Sequence, residues 1–278
     1  MGSDDTFNTA IEGLKGGAGG VEGSIAAILS WLEAPERASA EWARRRQVAH
    51  AKGLQGALRP LIEGGSGPAM GCLGSALYAM RPLVVKVAGE MGPTLQAAVA
   101  SALTGAESSS TEGAMRLLAS LAQSPDTCKQ LVQAGALTWV SAGARSRSRV
   151  QLEALRAATI LAKVEGDAAK EALFAAGCYD GALTALASGE EEVMTAACLC
   201  MDTLGLSSAV HRQLQPRSQE VVEALRPMFS PPVGGEGRLW AIGVLEGLAR
   251  SDQGRVAVLG CQGGLTTGFL ATGLSPNF

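Results

Sequence analysis

Short apolar stretches with helical spacing alternate with small and polar breaks along most of the chain. In the segment 117–144, leucines and alanines end one predicted helix at Ala122, and Ser124-Pro125-Asp126 begins the next. Serine is a preferred N-cap, proline fits the first helical turn, and aspartate suits the positive end of the helix. We expect this helix to end at Gly135, because glycine readily adopts the left-handed conformation of a helix C-terminus. Residues Ala136 to Ala144 predict a further helix.

This arrangement recurs along the chain. Leucines at corresponding positions of six predicted units lie 45, 44, 40, 43 and 44 residues apart; they are Leu32, Leu77, Leu121, Leu161, Leu204 and Leu248. Helix starts and glycine stops follow them in mostly constant phase, with stops predicted at Gly92 and Gly177. Stacked units of this kind cover each other's apolar faces. The period therefore predicts an all-α fold of about six helical repeats.

The repeated unit resembles the armadillo repeat, with the related HEAT repeat as the alternative. Residues 118–122, Leu-Ala-Ser-Leu-Ala, look like the end of that family's long third helix, and residues 133–137 look like the junction of its first and second helices. The resemblance covers roughly residues 24–272, and it implies a right-handed α-solenoid whose third helices line a concave groove. We therefore expect an N-terminal capping helix and Gly-rich joint at 1–23, an armadillo-like repeat domain at 24–272, and a C-terminal tail at 273–278.

The resemblance also indicates where a partner would bind. Armadillo proteins that grip extended peptides carry asparagines just before the repeated leucine; these positions here are Trp31, Ala76, Ser120, Ile160, Thr203 and Gly247. The only two asparagines, Asn8 and Asn277, lie outside the repeats, so we expect no groove of the type that nuclear import adaptors use. The larger side chains expected along the groove are the candidate partner-binding residues: Trp31, Tyr78, Arg116, Arg156, Asp202 and Trp240. Aromatic and arginine side chains are common interface anchors, although packing between repeats is an alternative role for the tryptophans.

Composition and the reactive residue types argue against catalysis. Aromatic residues make up only 4% of the chain and charged residues 18%, while 47% is hydrophobic, which favours packed helices. Neither histidine, His50 nor His211, has a Cys, Asp or Glu at metal-ligand spacing. The six cysteines lack the paired spacing of a zinc module or disulfide scaffold. We expect no catalytic residue, metal or cofactor, and buried thiols in a reducing, intracellular compartment, by default the cytoplasm.

Charge and hydropathy bear on two further classes of partner. The net charge of −3 provides no basic excess for binding nucleic acid. The apolar stretch from Leu83 to Leu103 is interrupted by Lys86, Glu90 and Pro93, so we expect no transmembrane segment. Residues 1–6 match the myristoylation pattern. Their two aspartates and the absence of a basic run do not favour stable membrane anchoring.

These observations favour a non-enzymatic scaffold or adaptor for protein–protein interaction, serving as a structural subunit of a larger hetero-complex. Low charge and frequent small residues favour permanent burial over charge-steered encounters. The alternative is a regulatory or ligand-binding helical-repeat protein, or an enzyme, with a small-molecule site between repeats. That alternative requires titratable groups that converge in a pocket.

Overall fold

The computed structural model describes residues 9–10, 12–14, 23–28, 54–78, 81–104, 108–146, 149–230 and 233–260. All regular secondary structure in these ranges is helical, and they contain no strand, so the predicted all-α class is confirmed. The chain divides into two compact units, residues 1–139 and 140–278. The predicted boundaries at residues 23 and 272 lie in or next to undescribed ranges and stay predictions.

The first unit contains short helical stretches at 9–10, 12–14 and 23–28, followed by longer helices numbered here from residue 54. These are α1 (Leu54–Glu63), α2 (Gly67–Leu77), α3 (Arg81–Thr104), α4 (Ser108–Leu121) and α5 (Pro125–Gln133). Helix α6 (Ala136–Ala144) crosses the division between the units. The starts of α5 and α6 agree with the capping pattern read from the sequence, with Ser124 as the N-cap of α5.

The second unit repeats a short, short, long order of helices. Its helices are α7 (Arg149–Glu165), α8 (Asp167–Ala175), α9 (Cys178–Ala185), α10 (Glu191–Gly205), α11 (Ser208–Leu214), α12 (Ser218–Leu225), α13 (Gly235–Leu248) and α14 (Asp252–Gly260). Short 3₁₀ helices, Gln215–Arg217 and Arg226–Phe229, flank α12. The predicted glycine stops at Gly135 and Gly177 are confirmed, since their φ angles are 105° and 83°.

The predicted helix end at Gly92 is wrong. Helix α3 continues through Gly92 and Pro93 to Thr104. A glycine and a proline in a helix interior cost about 1 and about 3 kcal/mol relative to alanine. The helix continues because it buries apolar side chains on both sides of this point, including Val87 before it and Leu95 after it. Tertiary packing therefore outweighs the local signal.

The long helices of the second unit form a row. Helix α10 packs against α7 on one side and against α13 on the other, and these are the most extensive helix–helix contacts of this unit. Small and apolar side chains fill the seams, including Ala158, Ala197, Cys198, Ala241 and Leu245. The row leaves one face of each long helix outside the core, and these faces form the surface considered below.

In the first unit, α2 and α4 approach so closely that their backbones are nearly in contact. A side-chain carbon added to Gly113 would lie 1.9 Å from the carbonyl oxygen of Gly67. One added to Gly74 would lie 2.8 Å from the backbone of Arg116. The Ser120 hydroxyl reinforces the seam by donating a 2.7 Å hydrogen bond to the carbonyl oxygen of Gly74. Only glycine permits this spacing between the two helices.

Candidate interaction surface

Two of the predicted partner-binding residues lie in the first unit. Tyr78 follows the end of α2, and 42% of its surface is exposed. Arg116 on α4 is engaged by its own chain: it donates to the carboxylate of Glu112 and to the hydroxyl of Ser75, both at 3.2 Å. Trp31 lies outside the described residues.

Arg156, Asp202 and Trp240 lie on the three long helices of the second unit, α7, α10 and α13, respectively. The structure thus places them on neighbouring helices of one row. We call the exposed and half-buried face of this row the long-helix surface. Its members are Arg156, Ile160, Lys163, Glu192, Thr195, Leu199, Asp202, Leu206, Leu239, Trp240, Gly243, Glu246 and Arg250.

Arg156 joins α7 to α10 on this surface. Its guanidinium donates to the Glu153 carboxylate at 3.2 Å and to the Glu192 carboxylate at 2.5 Å. Glu153 is only 2% exposed, and a buried carboxylate is costly unless a cation neutralises it. Arg156 therefore neutralises a buried carboxylate, and its own charge is balanced within the chain.

Trp240 is half-buried, and its ring contacts a cation from the same chain. The ammonium nitrogen of Lys163 on α7 lies over the indole at 5.9 Å from the ring centroid, within the range of a cation–π interaction. Lys163 thereby reaches across the row to α13. The sequence alone does not signal this contact, because it depends on how three helices lie side by side.

Asp202 lies on α10, the middle helix of the row, and is half-buried. Burial raises the pKa of its carboxyl group. The positive charges of Lys163 and Arg250 lower this pKa, and the negative charge of Glu246 raises it further. Gly243 on α13 makes room for this carboxylate, since a side-chain carbon there would lie 2.9 Å from Asp202 Oδ1. The centre of the surface therefore combines a carboxylate, a cation and an aromatic ring.

A small cleft opens next to Asp202, with Tyr179, His211 and Arg250 among its lining residues. Its volume is about 20 Å³, which is room for one water molecule and far below the several hundred Å³ of a typical metabolite pocket. The Tyr179 hydroxyl is buried and has no hydrogen-bond partner among the described residues. Burial also raises the pKa of this hydroxyl.

A wider and shallower groove of about 590 Å³ lies between the Gln215–Arg217 helix, α12 and α14. It is lined mainly by glutamine and small side chains, with Asp252 as its single carboxylate. Asp252 pairs with Arg255. This groove does not gather the converging titratable groups that acid–base catalysis requires.

Within the described ranges, no group of three or more His, Cys, Asp or Glu side chains is arranged to hold a metal ion. The five cysteines in these ranges are free and buried, as predicted. Burial raises the pKa of the Cys72 and Cys198 thiols to about 12. A thiol with so high a pKa is a poor nucleophile near neutral pH.

Three of the positions that correspond to the asparagine ladder do not face solvent. Ala76, Ser120 and Thr203 are each at most 1% exposed. The Ser120 hydroxyl donates to the carbonyl oxygen of Gly74 on α2, and the Thr203 hydroxyl donates to the carbonyl oxygen of Leu199 in its own helix. Ile160 and Gly247 are half-buried, and Trp31 lies outside the described residues.

In the described part of the chain, no single helix has both the length and the apolar composition needed to cross a bilayer. One bent pair, Glu191–Gly205 with Ser208–Phe229, meets these criteria of length and composition alone.

Solved structures with a similar architecture include engineered proteins and designed armadillo repeat proteins. One engineered protein matches with a TM-score of 0.67 at 20% identity, over 96% of this chain and 63% of its own. A designed armadillo repeat protein in complex with the peptide (KR)4 matches with a TM-score of 0.57 at 19% identity, over 80% of this chain and 98% of its own. A computationally designed armadillo repeat protein for modular peptide recognition gives 0.57 at 19% identity, over 80% and 99%.

No protein-family profile matches the sequence, and no curated protein is significantly similar to it. Identities near 20% establish the fold alone. The chain therefore has an armadillo-like helical-repeat fold. The number of repeats and the handedness of the stack stay predictions.

Proposed function

We propose that this chain is a non-enzymatic scaffold that binds protein partners through the long-helix surface, as a structural subunit of a hetero-complex. The observation that carries the proposal is the exposure of two leucines on this surface: Leu206 is 56% exposed and Leu239 is 58% exposed. They lie on the same row as the half-buried Trp240 and Asp202. An apolar anchor beside aromatic and charged side chains is typical of a protein interface.

The chemistry of the described residues supports binding over catalysis. The cleft beside Asp202 holds about one water molecule. The described thiols are buried, and Arg116 and Arg156 are paired within the chain. Among the described residues, the wide groove beside α14 supports the alternative of a small-molecule site between repeats.

The fold also supports the proposal. One structural neighbour is a designed armadillo repeat protein in complex with the peptide (KR)4, and another was computationally designed for modular peptide recognition. Parallel rows of helices present a long surface on which an extended or helical segment can lie. In this chain the asparagine ladder is missing, so side chains of the partner, rather than its backbone, would supply most contacts.

Replacing one exposed leucine by aspartate tests the proposal. Leu239→Asp places a charge on the proposed surface, and Leu259→Asp places one on α14, outside it; the two leucines are 58% and 55% exposed. Both variants should fold, because neither side chain is part of the core. Tagged wild-type and variant chains are expressed in cells, cross-linked, and purified with their partners, which are quantified by mass spectrometry.

We expect Leu239→Asp to lose at least tenfold of the partner signal, since an anchor residue of an interface contributes about 2 kcal/mol or more. Leu259→Asp should retain it. Equal retention by both variants would contradict the proposed surface, and a wild-type chain that recovers no partner would contradict the scaffold function. Thermal stabilisation of the purified chain by one class of metabolite would favour the small-molecule alternative instead.

A further inference from the structure

We propose that Cys178 and Cys200 form a redox-sensitive modification site, at which a peroxide converts the two thiols into a reversible disulfide between α9 and α10. These two buried nucleophiles have no part in the proposed scaffold function. The oxidant is a small, uncharged peroxide, which reaches a buried thiol more readily than a bulky oxidant does.

The two cysteines lie where two packed helices meet. Cys178 is the first residue of α9, Cys200 lies in the second half of α10, and these helices pack against each other. Both side chains are fully buried, and the Cys178 thiol is hydrogen-bonded to the Cys200 thiol. A disulfide joins two sulfurs about 2.05 Å apart. Thiols that already share a hydrogen bond are close neighbours, so bond formation requires only a short movement.

Cys178 is placed to react first. It lies at the positive N-terminal end of α9, which favours a thiolate. The hydrogen bond with Cys200 and burial raise the pKa of Cys178, whereas the positive charge of Arg145 lowers it. This guanidinium lies against the preceding residue, since a side-chain carbon at Gly177 would be 3.0 Å from its nitrogen. The thiolate is scarce near neutral pH, so the site responds to sustained oxidation rather than to a brief pulse of peroxide.

With hydrogen peroxide, two thiols and one peroxide give one disulfide and two water molecules. The Cys178 thiolate attacks one peroxide oxygen, the O–O bond breaks, and the departing hydroxide takes up the proton that the thiol released. Cys178 is then a sulfenic acid. The Cys200 sulfur attacks the Cys178 sulfur, the S–O bond breaks, and the oxygen leaves as water with the Cys200 proton. The two sulfurs lose two electrons in all, and the peroxide gains them.

Cys198 and Cys72 lack this arrangement. Cys198 is two residues from Cys200 on the same helix, and side chains with this spacing point about 200° apart. Burial raises the pKa of the Cys198 and Cys72 thiols, and no described thiol contributes to either rise. Cys198 is therefore a matched control, because it has the same burial on the same helix without the same thiol partner.

A disulfide at this site stabilises one part of the second unit. It closes a loop from residue 178 to residue 200, which contains all of α9 and most of α10. A cross-link of this kind restricts the unfolded chain and so favours the folded segment. Because α10 is the middle helix of the row, oxidation makes the row harder to open.

The test uses the purified full chain, kept reduced and then incubated for several hours with excess hydrogen peroxide. The chain is unfolded in guanidinium with an alkylating maleimide, digested without reductant, and analysed by mass spectrometry. We expect one pair of cross-linked peptides that joins Cys178 to Cys200, with the loss of two alkylatable thiols per chain. Dithiothreitol should restore both thiols, which distinguishes a disulfide from irreversible oxidation.

Three alanine variants separate the roles of the cysteines. Cys178→Ala and Cys200→Ala should form no disulfide, and Cys200→Ala should accumulate a sulfenic acid at Cys178 that dimedone traps during the incubation. Cys198→Ala should form the cross-link as the wild type does. In the oxidised wild type, amide hydrogen exchange in α9 and α10 should slow about tenfold or more, with α2 and α4 unchanged. Circular dichroism establishes that each variant is folded.

Several results would overturn the proposed site. They are a wild-type chain that keeps all its thiols after oxidation, a disulfide that joins any other pair of cysteines, and loss of the cross-link in Cys198→Ala. Unchanged hydrogen exchange in α9 and α10 of the oxidised chain would contradict the stabilising effect. The wild-type result needs no variant, so a variant that fails to fold leaves the test intact.

Discussion

The carboxylate of Asp202 is half-buried, and the raised pKa shows that burial outweighs the attraction of Lys163 and Arg250. In the unfolded chain the pKa of an aspartate is about 3.9. The folded protein therefore holds this proton up to a higher pH than the unfolded chain does. Ionisation of Asp202 therefore lowers the free energy of unfolding at pH values above the raised pKa. This loss of stability disappears as the pH falls below the pKa of aspartate in the unfolded chain.

We predict that Asp202→Asn raises the free energy of unfolding at pH 7, by less than about 1 kcal/mol because water screens a half-exposed carboxylate. The gain should shrink towards zero below about pH 4, where the wild-type carboxyl is protonated in both states. Urea unfolding at the two pH values measures both effects. A variant less stable than wild type at pH 7 would show that the two neighbouring cations outweigh burial.

Tyr179 provides a second prediction at the scale of one residue. Its hydroxyl is buried without a partner among the described residues, while its ring packs on Phe174 with centroids 5.6 Å apart. Tyr179→Phe keeps the ring and should leave stability unchanged or raise it by up to about 1 kcal/mol. Tyr179→Ala should cost about 3 kcal/mol or more, because it leaves a cavity.

Chemical denaturation of both variants at neutral pH checks this. A loss above about 1 kcal/mol for Tyr179→Phe would contradict the prediction. That outcome would indicate a water molecule in the adjoining cleft that bonds to the hydroxyl.

At the scale of elements, α2 and α4 approach so closely that two glycines of α2 differ in how much room there is for a side chain. A side-chain carbon at Gly74 would lie 2.8 Å from the backbone of Arg116, whereas one at Gly71 would lie at an ordinary 3.5 Å from Gly113. Gly74→Ala should therefore destabilise the protein by about 1–3 kcal/mol through overpacking. Gly71→Ala should be neutral or slightly stabilising, since alanine favours the helix.

Thermal and urea unfolding of the two alanine variants, side by side with wild type, measure this contrast. Equal effects of the two substitutions would show that α2 and α4 are further apart at Gly74 than the 2.8 Å approach to Arg116 indicates.

The sequence predicts helices well where capping signals and apolar spacing agree. Helices α5 and α6 begin where Ser124 and Gly135 indicate, and the left-handed φ of Gly135 follows from the same local chemistry. The predicted helix end at Gly92 is wrong. Glycine is a local signal for a helix end, whereas the continuation of α3 depends on the burial of residues such as Val87 and Leu95. Local signals cannot register a contact that only tertiary packing creates.

The same limit applies to the candidate surface. The repeat period placed Asp202 and Trp240 on third helices, and the structure brings these helices side by side. The intramolecular partners of Arg156 and Trp240 could not be read from the sequence, because Glu192 and Lys163 lie on other helices. Ser120, just before a repeated leucine, donates a hydrogen bond to the backbone of α2, and the repeat pattern alone does not signal this contact.

At the scale of the whole chain, a repeat architecture predicts that damage stays local. In such a fold each repeat contacts mainly its neighbours, so stability is close to a sum of local terms. If residues 24–272 form one repeat domain, Gly74→Ala should lower amide exchange protection in α2 and α4 much more than in α10 and α13. Hydrogen exchange followed by mass spectrometry measures the protection of each helix.

Equal loss of protection in all four helices would contradict that expectation. It would indicate that the chain unfolds as one cooperative body, which repeat architecture does not predict.

The seam between α2 and α4 has a consequence for engineering. Its spacing depends on Gly74 and Gly113, while alanine, cysteine and leucine side chains are buried in the long helices of the second unit. A helical repeat transferred from one unit into the other would therefore have side chains that clash at its new junction, or would leave empty volume there. The modules of this protein are alike in outline but are not interchangeable parts, and any shuffled version would need its junctions redesigned.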